Sequence, residues 1–331
     1  MSLIIPVRYA RRAVQLAFSL YLLYAGYRFY RYYLWVSGQS NVYAPKFPSV
    51  EAFLPIGALT ALKHLVLTGQ FDAIHPAGLA IFIAVLLAAF LFRKGVCGWV
   101  CPVGLISNLF EGLGRRFGLS FCLKGWPSIP LYSLKYILLS FFLYIILFRM
   151  DGQSIAAFMS SPYNMLVDIK MLLFFIKPSL TTVVFLVVIT SLSIILRNPW
   201  CRYLCPYGAL LGVMALFSPI HVKRDETLCI NCKRCTKICP ACIEVHKKTA
   251  VRTPECQGCM ECIGVCPVKN CLGLNTLLGI KPSPLGVAAL TITLIFGAWI
   301  LASVTGHWES AIRPEMLRNL FLLTGGHVMH P

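Results

Sequence analysis

The chain has 331 residues, is 58% hydrophobic with a mean hydropathy of +0.73, and carries thirty Lys and Arg against twelve Asp and Glu, a formal net charge of +18. Ordinary soluble domains are roughly 45–50% apolar, so these values exclude a simple globular protein and predict an integral membrane protein. The basic excess falls at the ends of apolar runs and around cysteines, not on one face of a soluble domain, which sets nucleic-acid binding aside.

The first residues, "MSLIIPVRYARRAVQ", place basic side chains before an apolar run with no small-residue cleavage site behind it, so they read as a retained anchor and not a removed signal peptide. Crossing a bilayer core of roughly 30 Å takes about 20 apolar residues. Runs of that kind lie at about 13–35, 77–93, 131–149, 180–196 and 285–304, predicting an α-helical integral membrane protein with about five transmembrane helices. Lys and Arg mark the cytoplasmic loops. Arg8, Arg11 and Arg12 precede the first run; Arg93, Lys94, Arg115, Arg116 and Lys124 separate the second from the third; Arg197, Arg202, Lys223 and Arg224 follow the fourth. The N-terminus is therefore expected in the cytoplasm and the C-terminus outside, with Lys46, Lys63, Lys170 and Lys177 as a thinner outer set. Tyr32, Tyr33 and Trp35 are expected as an aromatic belt at the outer end of the first span.

A repeat runs through this region. "LPIGALTALKHL" (54–65) superposes on "SPYNMLVDIKML" (161–172) at a shift of 107, setting Pro55 on Pro162, Leu59 on Leu166 and Lys63 on Lys170. A spanning run follows each, then "CGWVCPVGL" (97–105) or "CRYLCPYGA" (201–209), at a shift of 104. Two parallel internal repeats are expected, about 53–110 and 160–215, each a short proline-started re-entrant helix, an inward span and C-x3-C-P.

"CINCKRCTKICP" (229–240) and "CQGCMECIGVCP" (256–267) are two copies of C-x2-C-x2-C-x3-C-P, the two-cluster bacterial ferredoxin run, whose fourth cysteine serves the other cluster. One [4Fe-4S] cluster is expected on Cys229, Cys232, Cys235 and Cys266, and a second on Cys256, Cys259, Cys262 and Cys239. Structural zinc also uses C-x2-C pairs, but two full copies of a four-ligand run favour iron. Crowding at ligand spacing points to metal binding in a reducing compartment. Cys242 and Cys271 fall outside the pattern and read as buried thiols. Lys233, Arg234, Lys237, Lys247 and Lys248 surround the loops, where cations favour the more negative, reduced cluster.

The pairs Cys97 with Cys101 and Cys201 with Cys205 are less specific. Residues i and i+4 share a helix face, so four sulfurs could converge on a further iron–sulfur or other thiolate-bound metal centre. Redox-active disulfides and packing thiols remain open alternatives.

Two C-x3-C-P pairs at inner helix ends followed by a two-cluster ferredoxin insert resemble the NapH/NosR family of membrane polyferredoxins, related to the CcoG type, from about Pro55 to Leu274. The resemblance implies a bacterial inner-membrane, multi-pass protein that oxidises quinol and passes electrons to redox partners such as an iron–sulfur protein or a multihaem cytochrome. It puts Cys97, Cys101, Cys201 and Cys205 at the paired-cysteine positions and the eight ferredoxin cysteines at the cluster positions. The apolar runs and cysteine motifs divide the chain into an expected membrane domain at 1–221, a cytoplasmic ferredoxin domain at 222–276, and a fifth helix with a periplasmic tail at 277–331, the last exceeding the four-span NapH plan. Departing from NosR-type members, no large flavin-binding domain is expected before the first span, and the sequence shows no C-x-x-C-H for haem.

Ionisable residues inside membranes are functional candidates. Lys63 and His64 on the first short helix, with Asp168 and Lys170 on the second, are the candidate quinone-site residues, set against solvated interfacial positions. A quinone at the outer face would stand about 30 Å from an inner ferredoxin, which calls for a deeper site or a partner's centre. His75 is expected to cap or sit at the interface, and His307, His327 and His330 to lie in a mobile outer tail. The function expected is a non-autonomous quinol dehydrogenase or electron-transfer subunit. The rival is a copper-oxidase type assembly factor using the C-x3-C-P thiols to hold or reduce metal.

Overall fold

The computed structural model describes residues 7–123 and 125–324; Lys124, His327 and His330 lie outside the described residues. The chain opens with α1 (Val7–Val36), followed by α2 (Pro55–Thr68), α3 (Pro76–Phe92), α4 (Gly95–Trp99) and α5 (Pro102–Arg116). Then come α6 (Ser128–Tyr144), ending in a π turn at Ile145–Arg149, and α7 (Gly152–Met159), α8 (Pro162–Met165), α9 (Val167–Ile176) and α10 (Leu180–Ile195). After a second π turn at Trp200–Leu204 the order is α11 (Pro206–Leu216), β1 (Ile220–Arg224), α12 (Arg234–Ile238), β2 (Ala250–Val251), α13 (Glu261–Gly264), β3 (Leu272–Thr276), α14 (Pro284–Val304) and α15 (Pro314–Thr324). Pro55, Pro102, Pro162 and Pro206 each start a helix, where the missing N–H costs nothing.

Among the described residues, two helices are long and apolar enough to cross a membrane, Ser128–Arg149 and Pro284–Val304; α9 with α10, bent by 72°, makes a third if taken as one span. Of the other runs expected to span, α1 is long, but Arg28, Arg31 and its tyrosines dilute its hydropathy, and α3 is apolar throughout yet has only 17 residues. The two short helices of the repeat also differ, because α2 is continuous whereas its counterpart breaks at Leu166 into α8 and α9.

The chain forms two compact units. One takes residues up to Ser19, Val85–Leu139 and Leu186–Ile295. Its three-stranded antiparallel sheet has the order β2-β1-β3, with Val222 opposite both Val251 and Leu274. Ile220, Val222, Val251, Leu272 and Leu274 bury one sheet face against Ile243, Val245 and Met260, and the same core takes in Trp99, Val287 and Ala288 from the apolar helices.

The other unit takes Leu20–Ala84, Ser140–Phe185 and the chain from Phe296. Here Tyr32, Tyr33 and Trp35 are buried with Phe29, Leu166, Ile169 and Leu317. They are core residues, not the aromatic belt expected, because α1 turns this face toward protein. Leu317 lies on α15, so residues 314–324 are helical within the stretch where a mobile tail was expected. His307 packs its ring against Phe71, with centroids 4.6 Å apart.

Candidate metal centre

Both ferredoxin loops adopt the same unusual backbone. Asn231 and Lys233 in the first copy, and Gly258 and Met260 in the second, take left-handed conformations with φ between 53° and 62°. Such turns aim successive N–H groups into a concavity that suits an anionic guest. Cys229, Cys232, Cys235 and Cys266 line one cavity, while Cys256, Cys259, Cys262 and Cys239 line another. The fourth cysteine of each copy thus stands with the three of the other, the crossed grouping that the spacing implies. Four sulfurs on one cavity are the donor set of a [4Fe-4S] cubane, so the residues present fit that group.

Two further cysteines depart in different ways. Cys271 is a buried thiol beside the first cavity. Cys242 is not a lone thiol: it is joined to Cys122, with Cα atoms 6.0 Å apart, because the loop after α5 lies against the segment following Cys239.

The second cavity, near Cys259, is clamped by the helices that carry the C-x3-C-P pairs. Trp99 Nε1 donates to the Gly258 carbonyl at 3.1 Å. A Cβ on Gly98 would stand 2.5 Å from the Gln257 oxygen, and one on Gly212 would stand 2.9 Å from the Pro254 oxygen, so backbone approaches backbone where only glycine fits. Arg11 Nε donates to the Gly98 carbonyl at 2.7 Å and its guanidinium pairs with Glu261. Arg93 donates to the Thr253 carbonyl at 2.9 Å, Lys94 to the Pro254 carbonyl at 3.4 Å, and Lys135 pairs with Glu255. Arg93 and Lys94, expected as loop charges, are therefore buried under the insert. Arg202 is buried too, donating to the Leu123 carbonyl at 3.1 Å.

Cys97 lies on α4, Cys201 lies in the second π turn, and Cys101 and Cys205 cap the N-termini of α5 and α11. Cys205 Sγ accepts from the Gly208 N–H at 3.2 Å. The sulfurs sense one another: burial pushes the Cys97 thiol up to about 12, with Cys101 and Cys205 adding to the rise and Lys94 opposing it. Burial, with Cys101, Cys205 and Cys97, likewise raises Cys201 well above the ordinary thiol value. Burial thus disfavours the thiolate form at all four cysteines, and a nearby cation is what would let such desolvated sulfurs ionise together.

In the other unit the candidate quinone-site residues separate. Lys63 Nζ donates to the carbonyls of Ile146, Leu147 and Met150 at 2.9, 3.0 and 2.6 Å, closing the end of the π turn. Lys170 lies 4.6 Å from the Tyr163 ring centroid. His64 Nδ1 is buried with no hydrogen-bond partner. Asp168 is buried in a network with Lys46, whose ammonium lies 2.7 Å from both Asp168 and Glu51. His75, buried just before α3 with its carbonyl accepting from the Leu79 N–H, places Nδ1 3.1 Å from Glu51 and Nε2 2.7 Å from the Asn164 carbonyl. Both ring nitrogens meet oxygen acceptors, an arrangement suited to an imidazolium. Burial alone would raise Glu51, but Lys46 and His75 outweigh it and hold the carboxyl down at about 2. Glu51 escaped the sequence reading because it sits in a short helical turn with no motif around it.

The 4Fe-4S binding domain family matches twice, at residues 74–120 and 179–224, and the 4Fe-4S dicluster domain family matches residues 221–267. YccM of Escherichia coli (strain K12), a protein named for electron transport, is 38% identical over 323 residues, covering 95% of this chain and 89% of that one. The ferredoxin-type protein NapH of Haemophilus influenzae is 30% identical, covering 63% of this chain and 69% of its own. The chain belongs to the NapH/NosR-type polyferredoxin family. The regulatory protein NosR of Pseudomonas aeruginosa matches 52% of this chain at 28% identity. No solved structure gives a significant match. As a polyferredoxin of this family the chain is an iron–sulfur electron-transfer protein with apolar helices of membrane-spanning length.

Proposed function

We propose that this polyferredoxin carries electrons between the quinol pool and protein redox partners, as a five-span inner-membrane subunit with its N-terminus and ferredoxin insert (222–276) in the cytoplasm and its C-terminus in the periplasm. The observation that carries this reading is the contact between both C-x3-C-P segments and the second ferredoxin loop, through Trp99, Gly98 and Gly212. Cys229, Cys232, Cys235 and Cys266 would hold one [4Fe-4S] cluster and Cys239, Cys256, Cys259 and Cys262 another; when bound, these groups supply one-electron redox chemistry. Cys97, Cys101, Cys201 and Cys205 would hold a further thiolate-bound centre. Arg11, Arg93, Lys94 and Lys135 keep the second loop seated on the membrane helices and exclude water between them.

On the quinol side, the buried, unpartnered Nδ1 of His64 is suited to accept a hydroxyl proton, and Asp168, held in its own network with Lys46, is a second, separate candidate acceptor. Lys63 and Lys170 would shape that site and not exchange protons, since Lys63 spends its donors on carbonyls.

Iron analysis and EPR on anaerobically purified protein test the reading. About eight irons are expected from two cubanes, with any additional centre lost in both Cys97→Ser and Cys201→Ser. Colourless protein carrying zinc would overturn the proposal. Copper bound by the four C-x3-C-P sulfurs, with function surviving quinone removal, would favour a metal-centre assembly role. For the quinol site, quinol-dependent reduction is expected to fall in a His64→Ala/Asp168→Ala variant; an unchanged rate would remove the site named here.

A further inference from the structure

We infer that the exposed basic rim of the cavity lined by Cys229, Cys232, Cys235 and Cys266 is a docking surface for an acidic, soluble redox protein. The inference rests on the electron-carrier reading above and adds the point of exit or entry for the electron and the kind of partner that meets it.

Charge is sorted across the ferredoxin insert. Between residues 222 and 276 there are nine Lys and Arg and five Asp and Glu. Two of the acids, Glu255 and Glu261, are spent on the membrane-helix side, paired with Lys135 and Arg11. Two others are neutralised locally, Glu226 by Arg224 and Glu244 by Lys247, and the fifth, the exposed Asp225, accepts from Thr227. Lys233, Arg234, Lys248 and Lys269 are exposed, and none of them is in an ion pair among the described residues. Lys233 lines the first cavity directly, and Lys269 follows Val268, which lines it too.

The rim surrounds an apolar opening. Cys232 alone among the described free cysteines is exposed. Beside it, Ile230 is 66% exposed and Leu228 43%. A small apolar centre at a redox ligand, ringed by cations, is the surface a transient electron-transfer complex uses: charge steers the encounter and a modest contact area allows quick release. Anionic lipid is the weaker fit, because Arg93, Lys94 and Arg202 beside the apolar helices are buried and committed to backbone carbonyls. Lys233 instead lines the cavity of the exposed Cys232, and Arg234 and Lys269 neighbour its lining residues in sequence, while Lys223, Lys237 and Arg252 are further exposed cations of the insert.

The test uses the full-length, cluster-loaded protein in detergent micelles and a flavodoxin with an acidic surface as probe, with affinity followed by interferometry across a sodium chloride series. Wild-type affinity is expected to fall as salt rises. The Lys233→Glu/Lys248→Glu/Lys269→Glu variant is expected to bind about tenfold more weakly at low salt, with iron content and EPR unchanged. Should that variant lose iron, Lys233→Gln/Lys269→Gln carries the same comparison with a smaller loss. Flavodoxin binding that ignores both salt and substitution would overturn the proposal. So would unchanged flavodoxin binding together with lost binding to phosphatidylglycerol vesicles, which would make the rim a lipid contact. Wild-type protein without iron would instead overturn the electron-carrier reading and take the docking surface with it.

Discussion

The two halves of the ferredoxin insert carry the same twelve-residue pattern and the same left-handed turns, yet they end in opposite surroundings. The half centred on Cys259 is covered by Trp99 and Gly98 and tied down by Arg11, Arg93, Lys94 and Lys135. The half centred on Cys232 opens to solvent among Lys233, Ile230 and Leu228. A cysteine spacing specifies a cluster; its neighbours decide whether that cluster faces the membrane helices or the outside. On the proposed reading the difference gives the insert a direction, with one half held by the helices of the C-x3-C-P pairs and the other open to solvent.

Breaking a single ligand on each side tests this most severely. Both Cys259→Ser and Cys232→Ser are expected to lose one cluster by iron count and EPR. Only Cys259→Ser should also lower the yield of folded protein, since its loop is part of the contact with Gly98. Equal yields would mean that the buried half is no better anchored than the exposed one.

Next in size is Glu255→Gln, which strands the fully buried ammonium of Lys135. Breaking a buried pair from one side costs about 3–5 kcal/mol, read as a lower thermal midpoint in detergent. On the open side, Glu226→Gln removes a carboxylate that is itself exposed and should shift the midpoint little.

Gly98→Ala should be milder, because a Cβ placed 2.5 Å from the Gln257 oxygen must displace that loop. Overpacking of this kind costs about 1–3 kcal/mol. The EPR signal of the cluster at Cys256, Cys259 and Cys262 is expected to change while the other is unaffected, and equal perturbation of both would blur the contrast drawn here. Smallest of all, Lys233→Gln alone should leave stability and iron content intact and weaken acidic flavodoxin binding about twofold at low salt.

Much of this was written in the sequence. The eight ferredoxin cysteines and their crossed grouping follow from spacing, since short loops can close on a cubane in few ways and the distant fourth residue must reach across. Apolar runs and proline starts likewise placed most helices. Tertiary structure decided what no local pattern encodes. Tyr32, Tyr33 and Trp35 turned inward as core, and Arg93 and Lys94 became buried clasps for carbonyls instead of loop charges. Cys242 met Cys122 across 120 residues of sequence. Glu51, His75, Lys46 and Asp168 came from separate segments to neutralise one another. The physical reason is common to all of these cases: a motif records which atoms are close along the chain, whereas burial and charge pairing depend on which distant segment arrives to cover them.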